Sequence, residues 1–249
     1  MYKIAICITT FLRDTLLFKT LQNIVDNYPE NCILLIADQG YHSNDKDIYY
    51  DYIKKYIPCE VYYLPFDSGL SYGRNFLVNK ALEMNIPYCL ISADSIQFKE
   101  KYDFDNIISF LMTDEKYALC GFELEGSKCP WEYDIFVDKK GIHLIYTENY
   151  IEHNSIKYKK VDICRNIFLA RTKSLTNLWD NEMKLGEHEL AFIELKNRGF
   201  QSFWTNAIKM KREANRNTDE YEVYRNRFGY YQKLLKQKLN IKNWVIYEK

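Results

Sequence analysis

Three short segments of the chain carry polar and charged side chains in spacings that could support chemistry. Residues 67–75 read DSGLSYGRN, which we interpret as a glycine-containing turn that leads into a helix carrying Arg74 and Asn75. The second segment is an apolar run, residues 88–91, followed by Asp94. The third places Glu, His and Glu at positions 187–189. These residue types can bind an anion, hold a metal or transfer a proton.

Two aspartates each follow an apolar run that predicts a buried strand. Asp38 comes after residues 32–37, and Asp94 comes after residues 88–91. Ligands of open α/β sheets bind at the carboxyl ends of the strands, so Asp38 could accept hydrogen bonds from a base or ribose. An alternative of equal weight makes it a turn residue. Asp94 could bind a divalent metal that bridges two phosphates.

The cation at the predicted helix start and the acidic segment each allow two interpretations. Arg74 could pair with a diphosphate, or simply with a neighbouring carboxylate. The acids at residues 187–189 could transfer a proton, or could only favour the helix dipole. Because adjacent side chains on a helix diverge, we expect that Glu187 and His188 do not both face inward together with Glu189.

The elements that must position these residues alternate between strand and helix. In the first hundred residues the pattern predicts strands at 3–9, 32–37, 60–64 and 88–91, and helices at 16–25, at 45–56 and after an N-cap at Ser71. This order predicts a parallel sheet with helices on both faces. Further on, the sequence predicts a helix at 103–112, a strand at 117–124, a hairpin at 136–146, a strand at 161–171, a helix at 186–199 and a helical tail from Asn215.

Length and composition exclude several classes of protein. The chain has 249 residues, and its 34 lysines and arginines balance its 34 aspartates and glutamates, so we expect no nucleic acid partner. No apolar run approaches the ~18 residues of a membrane span, and we expect no integral membrane segment. Seven cysteines without CxxC spacing favour reduced thiols and a cytoplasmic location.

Taken in order, these segments resemble the nucleotide-diphospho-sugar transferases of the GT-A fold, closest to family 2 glycosyltransferases and the related β-1,4-N-acetylgalactosaminyltransferases. The likeness covers most of the chain. It rests on Ile8-Thr9-Thr10-Phe11 with Arg13, on Asp38, on Gly69-Leu70-Ser71 with Gly73-Arg74-Asn75, on Ala93-Asp94-Ser95 at the position of the acidic DXD motif, on residues 166–172, on Trp179-Asp180, and on residues 184–189.

The resemblance implies an α/β fold of the GT-A type, in a single domain over residues 1–249. Its nucleotide-binding half would be 1–98, its acceptor and catalytic half 99–214, and its helical tail 215–249. The residues that it assigns to the donor are Thr9, Thr10, Arg13, Asp38, Gly69, Arg74, Asn75, Asp94 and Arg212. The base that activates the acceptor would be Glu187, His188 or Glu189.

The positive charge at the diphosphate has two candidate sources. The resemblance implies Mn²⁺ or Mg²⁺ held by Asp94, although Ala93 and Ser95 stand where relatives often carry carboxylates. The alternative is the basic segment Lys209, Lys211 and Arg212, which lies where relatives supply a late metal ligand. Fixed cations there could stabilise the leaving diphosphate without a metal.

The function that the resemblance implies is inverting transfer of a sugar from a nucleotide-sugar donor to a glycan or glycolipid-type acceptor, in polysaccharide biosynthesis. We expect a UDP-sugar such as UDP-N-acetylhexosamine. One rival is a nucleotidyltransferase, which would need a glycine-rich basic loop after the first strand, but residues 9–14 contain no glycine. The other rival is a non-catalytic glycan-binding or assembly protein of the same fold.

Overall fold

Strands and helices alternate through the first part of the molecule. A computed structural model describes residues 2–125, 131–213 and 218–248. Its first elements are β1 (Ile4–Thr10), α1 (Asp14–Asp26), β2 (Cys32–Asp38), α2 (Asn44–Lys54), β3 (Cys59–Tyr63), α3 (Leu70–Glu83) and β4 (Tyr88–Ala93). Each predicted element of this part is confirmed, with bounds shifted by a few residues.

Short strands dominate the second part. The elements are β5 (Ile96–Phe98), α4 (Asp105–Met112), β6 (Tyr117–Glu125), β7 (Asp134–Val137), β8 (Ile142–Ile145), β9 (Tyr150–His153), β10 (Ile156–Val161), β11 (Phe168–Arg171), a 3₁₀ turn (Thr172–Leu175), α5 (His188–Asn197), β12 (Gln201–Arg212), α6 (Asp219–Arg225), α7 (Phe228–Leu239) and β13 (Val245–Glu248).

One large sheet runs through the molecule, in the order β3-β2-β1-β4-β11-β6-β12-β10-β9, with β5 paired to β12. The register gives one direction to β3, β2, β1, β4, β6, β12 and β9, and the opposite direction to β11, β10 and β5. The predicted α/β class with a mostly parallel central sheet is confirmed.

Both faces of this sheet are covered by apolar side chains. On β1, Ala5 and Cys7 join one buried cluster, which includes Leu77 of α3 and Phe192 of α5. The alternating residues Ile4, Ile6 and Ile8 join a second cluster, with Leu17 of α1, Ile53 of α2 and Leu111 of α4. Successive strand residues point to opposite faces, so β1 is apolar throughout and lies between two helical layers.

The predicted strand at 161–171 is wrong, because the chain forms two strands there. β10 ends at Val161, where the Asp162 carboxylate accepts a hydrogen bond from the backbone N–H of Ile135 (2.9 Å). The segment then passes close to β6: a Cβ on Gly121 would lie 2.5 Å from the Cys164 Sγ. β11 begins only at Phe168. The interruption places residues 165–167 at the edge of a cavity.

The predicted N-cap at Ser71 is also wrong. α3 begins two residues earlier than predicted, at Leu70 with Gly69 as its N-cap, and the Ser71 hydroxyl instead donates to the backbone carbonyl of Met183 (2.6 Å). In the tail, residues 215–217 lie outside the described residues. The rest forms α6, α7 and the unpredicted β13, which completes a small sheet of order β13-β8-β7.

Two findings concern the membrane and cysteine predictions. None of the helices in the described ranges is long and apolar enough to cross a membrane. Six cysteines have free thiols, and Cys129 lies outside the described residues.

Candidate functional site

The carboxyl ends of β1, β2 and β4 meet the start of α3 and α5 at one edge of the sheet. In the register, Thr9 of β1 lies between Ala37 of β2 and Ala93 of β4. Two cavities open at this edge. The larger, about 480 Å³, is lined by residues that include Thr9, Arg13, Arg74, Glu187, His188, Glu189 and Arg212. The smaller, about 50 Å³, is lined by residues that include Thr9, Arg13, Gly69 and Asp94.

Arg74 and Glu187 form a buried ion pair between α3 and the start of α5. The side-chain amide of Asn166 donates a further hydrogen bond to Glu187 (3.3 Å). Burial alone would raise the pKa of Glu187, but the guanidinium of Arg74 outweighs it, and the pKa lies below its ordinary value. A carboxylate held in this way is a poor proton acceptor. The pairing of Arg74 with a carboxylate is one of the two alternatives that the sequence left open.

Glu189 is the opposite case, a buried carboxyl without a cationic partner in the described part of the chain. It is 1% exposed, and no hydrogen bond of normal geometry from the described residues reaches its oxygens, although its own backbone and the Trp244 side chain lie close enough to oppose a rise in its pKa. Burial raises its pKa to about 7, and the nearby charge of Glu187 adds to the effect. A carboxyl with a pKa near neutrality suits a general base. The indole nitrogen of Trp244, in the wall of the same cavity, is also buried, and it lies near the Glu189 carboxyl, where it opposes the rise in that pKa.

His188 lies between these two glutamates and is held among aromatic rings. The ring centroids of Trp131 and Phe192 lie 5.0 and 5.1 Å from the imidazole centroid. Burial lowers the pKa of His188 to about 3, so the imidazole is neutral near pH 7. The expectation that Glu187 and His188 do not both face inward together with Glu189 is wrong, since all three line the larger cavity. Glu187 is the N-cap residue of α5 and has helical backbone angles (φ −77°, ψ −11°).

Asp94 is fully buried, and both of its carboxylate oxygens are occupied. Arg13 forms an ion pair with it, with Nε 3.1 Å from Oδ2, and the Thr10 hydroxyl donates to the same oxygen (3.0 Å). Burial raises the pKa of Asp94, although Arg13 and Thr10 oppose the rise. The described residues contain no group of three histidine, cysteine, aspartate or glutamate side chains that could hold a metal. This donor set does not fit a divalent cation held by the protein, because a single carboxylate already neutralised by arginine offers little to a hard cation.

Asp38 is turned away from both cavities. Its carboxylate accepts hydrogen bonds from the Tyr50 hydroxyl (2.7 Å) and the Gly40 backbone N–H (2.9 Å), and Lys46 lies 3.0 Å away. The assignment of Asp38 to the nucleoside stays a prediction, and a donor would have to compete with these partners. The next residue, Gln39, lines the smaller cavity and was missed, because nothing in its sequence context marks a glutamine.

The start of α3 is fixed to the loop before α5. Gly69 has a φ of +98°, and a Cβ there would lie 2.8 Å from the Cα of Lys184, so only glycine fits. The Asn75 amide donates to the backbone carbonyl of Trp179 (2.6 Å) and to Asn181 (2.9 Å). Asn75 lines neither cavity, and its contacts position the loop that leads to Glu187 and Glu189.

Helix α6 lies over the smaller cavity and was not foreseen as part of the site. Tyr224 packs its ring edge-on against Phe11, with centroids 5.0 Å apart, and the Arg13 guanidinium lies 4.7 Å from the ring centroid of Tyr221. None of the residues of α6 is buried. The helix therefore touches the site through a few aromatic contacts rather than through a core.

Two arginines at the larger cavity come from different elements. Arg212 ends β12, and Arg225 ends α6. Of the other predicted basic residues, Lys209 forms an ion pair with Glu123 (3.2 Å), and neither Lys209 nor Lys211 lines the two cavities. The sequence pointed to Arg212 through a basic run, whereas Arg225 carries no signal of its own.

Comparison with known proteins identifies the fold. The chain matches no family model and no curated protein. Among solved structures, TarS 1–349 of S. aureus in complex with UDP-GlcNAc is similar at a TM-score of 0.66 and 12% identity, over 95% of this chain and 66% of that one. GalNAc-T7 with UDP, GalNAc and Mn²⁺ is similar at a TM-score of 0.64 and 10% identity, over 97% of this chain and 55% of that one.

These neighbours are GT-A glycosyltransferases, and the predicted GT-A fold is confirmed. The similarity extends to a longer TarS chain at a TM-score of 0.59, of which this chain spans 43%. At 10–13% identity the likeness concerns the fold. It is the side chains of the site that must support a function.

Proposed function

We propose that this protein is a glycosyltransferase that takes a sugar from a UDP-sugar and transfers it to a hydroxyl group of a glycan or glycolipid-type acceptor. The observation that carries the proposal is Glu189. It is a buried carboxyl with a pKa of about 7 and no cationic partner among the described residues, and it lines a cavity of about 480 Å³ at the carboxyl ends of the strands. An unpaired buried carboxyl is costly to keep, which favours a chemical role.

The donor side of the proposal rests on the neighbouring smaller cavity. Thr9, Gly69 and Gln39 line it, next to the Arg13–Asp94 pair. The solved neighbours are complexes with UDP-GlcNAc and with UDP and GalNAc, which supports a UDP-N-acetylhexosamine as the first donor to test. We propose that the larger cavity receives the sugar and the acceptor, since it contains Glu189 and the aromatic side chains Trp131, Phe228 and Trp244.

In the proposed reaction, Glu189 takes the proton of the acceptor hydroxyl. The acceptor oxygen forms a bond to the anomeric carbon while the bond from that carbon to the diphosphate breaks, and the electron pair leaves with UDP. A single displacement of this kind inverts the anomeric configuration. Arg74 and Asn166 keep Glu187 ionised and fixed, so that its charge helps to hold the pKa of Glu189 high.

The Mn²⁺ in the GalNAc-T7 structure favours a divalent metal in that protein. Here the residues present do not fit a metal held by the protein, and no step above is assigned to one.

We also propose that the described elements belong to one catalytic domain, divided near residue 98 as the sequence predicted, and that the free cysteines reflect a cytoplasmic location. The glycan-binding rival offers no reason for a buried carboxyl in the cavity that has no cationic partner among the described residues.

Release of UDP from a panel of UDP-sugars, with glycan acceptors, tests this function. Glu189→Gln should lower turnover by about 10²–10⁴-fold and leave the affinity for UDP nearly unchanged, because the base acts on the acceptor. The matched control is Glu194→Gln on the same helix, whose carboxylate is exposed and pairs with Arg198. Normal turnover in folded Glu189→Gln would show that the base lies elsewhere. UDP binding without transfer to any acceptor would favour the glycan-binding rival.

A further inference from the structure

The larger cavity has an excess of fixed positive charge. Its lining includes five arginines and two glutamates: Arg13, Arg74, Arg165, Arg212, Arg225, Glu187 and Glu189. The whole chain, by contrast, has a formal net charge of zero. Cations concentrated in a cleft raise the local concentration of anionic ligands. The excess therefore points to an anion as the ligand of this cavity.

Two of these arginines have no acidic partner. Arg13 is paired with Asp94 and Arg74 with Glu187, so their charges are largely compensated within the protein. Arg212 and Arg225 form no ion pair and no side-chain hydrogen bond with any residue in the described ranges. The guanidinium of Arg225 lies 5.8 Å from the ring centroid of Phe228, a contact that leaves its N–H donors unused.

The positions of these two arginines bring them to the junction between the donor and acceptor regions. Arg212 pairs in register with Ile96, and the next backbone N–H, of Glu213, donates to the carbonyl of Ser95 (2.9 Å). Arg212 therefore lies two residues beyond the strand-end Asp94 on the neighbouring strand. Arg225 lines both cavities.

We infer that Arg212 and Arg225 bind the diphosphate of the nucleotide-sugar and stabilise it as the leaving group, in place of a divalent cation held by the protein. A guanidinium presents several N–H donors in a plane and can hold two phosphate oxygens at once. Asp94, the one carboxylate at the expected metal position, is neutralised by Arg13. The inference rests on the proposed function, because it takes the anion to be the diphosphate of the donor.

The test is calorimetric binding of UDP and of uridine to the whole chain in EDTA. Arg212→Ala and Arg225→Ala should each weaken UDP binding by about tenfold. This is the smallest loss expected for a hydrogen bond to a charged group, because both side chains are exposed and water screens their charge. Uridine affinity and the thermal midpoint should stay unchanged, since neither arginine supports the fold. Arg225→Lys should restore part of the affinity. Lys233→Ala, which removes an exposed cation from α7 outside both cavities, is the matched control.

The possible outcomes separate this inference from the proposed function. UDP binding that needs added Mn²⁺ would overturn the inference and leave the glycosyltransferase proposal intact. Unchanged UDP affinity in both alanine variants would do the same. An equal loss of uridine and UDP affinity would also overturn the inference, because it would indicate a structural role. A wild-type protein that binds no UDP, with or without Mn²⁺, would overturn both proposals.

Discussion

Two glutamates two residues apart have opposite electrostatic environments. Glu187 is buried against Arg74 and has a lowered pKa, whereas Glu189 is buried without a cationic partner among the described residues and has a pKa of about 7. When neighbouring acids have different pKa values, one can stay ionised while the other takes up or releases a proton, and active sites use such pairs. The sequence located the segment but could not choose among its members. The choice depends on Arg74 and Trp244, which are distant in sequence.

The raised pKa of Glu189 predicts the pH dependence of activity. In its proposed role as the base, Glu189 must be deprotonated, so kcat/KM should rise with pH through about 7 and be lost as the pH falls below that value. Initial rates between pH 5 and 9 measure this limb. Glu189→Gln should remove it, whereas His188→Gln should leave its position unchanged, because an imidazole with a pKa of about 3 does not titrate there. A limb that persists in Glu189→Gln would assign the titration to another group.

Elements with regular apolar patterns were predicted well, and those whose apolar residues follow no regular pattern were not. β1 and β2 are buried along their full length, and α1 has a clear apolar face, so each carries its own signal. β12 was missed because polar residues interrupt it and its pairing to β6 shifts register between Thr205 and Lys209. α6 buries none of its residues and leaves no periodic pattern, so the predicted helical tail from Asn215 covered it without its bounds.

Two glycines in helical segments should respond to alanine in opposite directions. Gly69→Ala should lower the free energy of unfolding by more than about 2 kcal/mol, because the positive φ is strained for alanine and its Cβ would meet the backbone of Lys184. Gly229→Ala should raise it by about 0.5 kcal/mol, since the site on α7 is open and alanine favours the helix. Urea denaturation measures both. A neutral Gly69→Ala would mean that the turn can relax without cost.

On the scale of the whole molecule, the C-terminal part completes the site. β13 adds to β8, and His143 of β8 lies within hydrogen-bonding distance of Glu248 (2.6 Å) and Asp138 (2.9 Å). On α7, Lys238 pairs with Asp180 (2.8 Å). These contacts fix both ends of the segment that carries Trp244 into the cavity. Long-range pairs of this kind have no signature in a single sequence, so the tail was predicted only as a helix.

The contacts of His143 predict that the stability of β13 at the edge of the small sheet depends on pH. Glu248, and then Asp138, raise the pKa of His143 above its ordinary value of 6.5. The stabilisation of β13 by the protonated imidazole of His143 should be complete below pH 6.5 and be lost as the pH rises through the raised pKa. Hydrogen-exchange protection of the Ile246 and Tyr247 amides should fall over that range. In His143→Gln the protection should not vary with pH, and an unchanged dependence there would point to another titrating group.

The few contacts of α6 have a consequence for the rates of binding. The smaller cavity, at about 50 Å³, is far below the several hundred Å³ typical of ligand pockets. On the proposed function, a nucleoside would enter only after Tyr221 and Tyr224 withdraw from Arg13 and Phe11. The association rate constants of uridine and UDP would then both lie below the diffusion limit and be similar, while their dissociation rate constants would differ. Release of UDP through the same opening would then be a slow step of turnover.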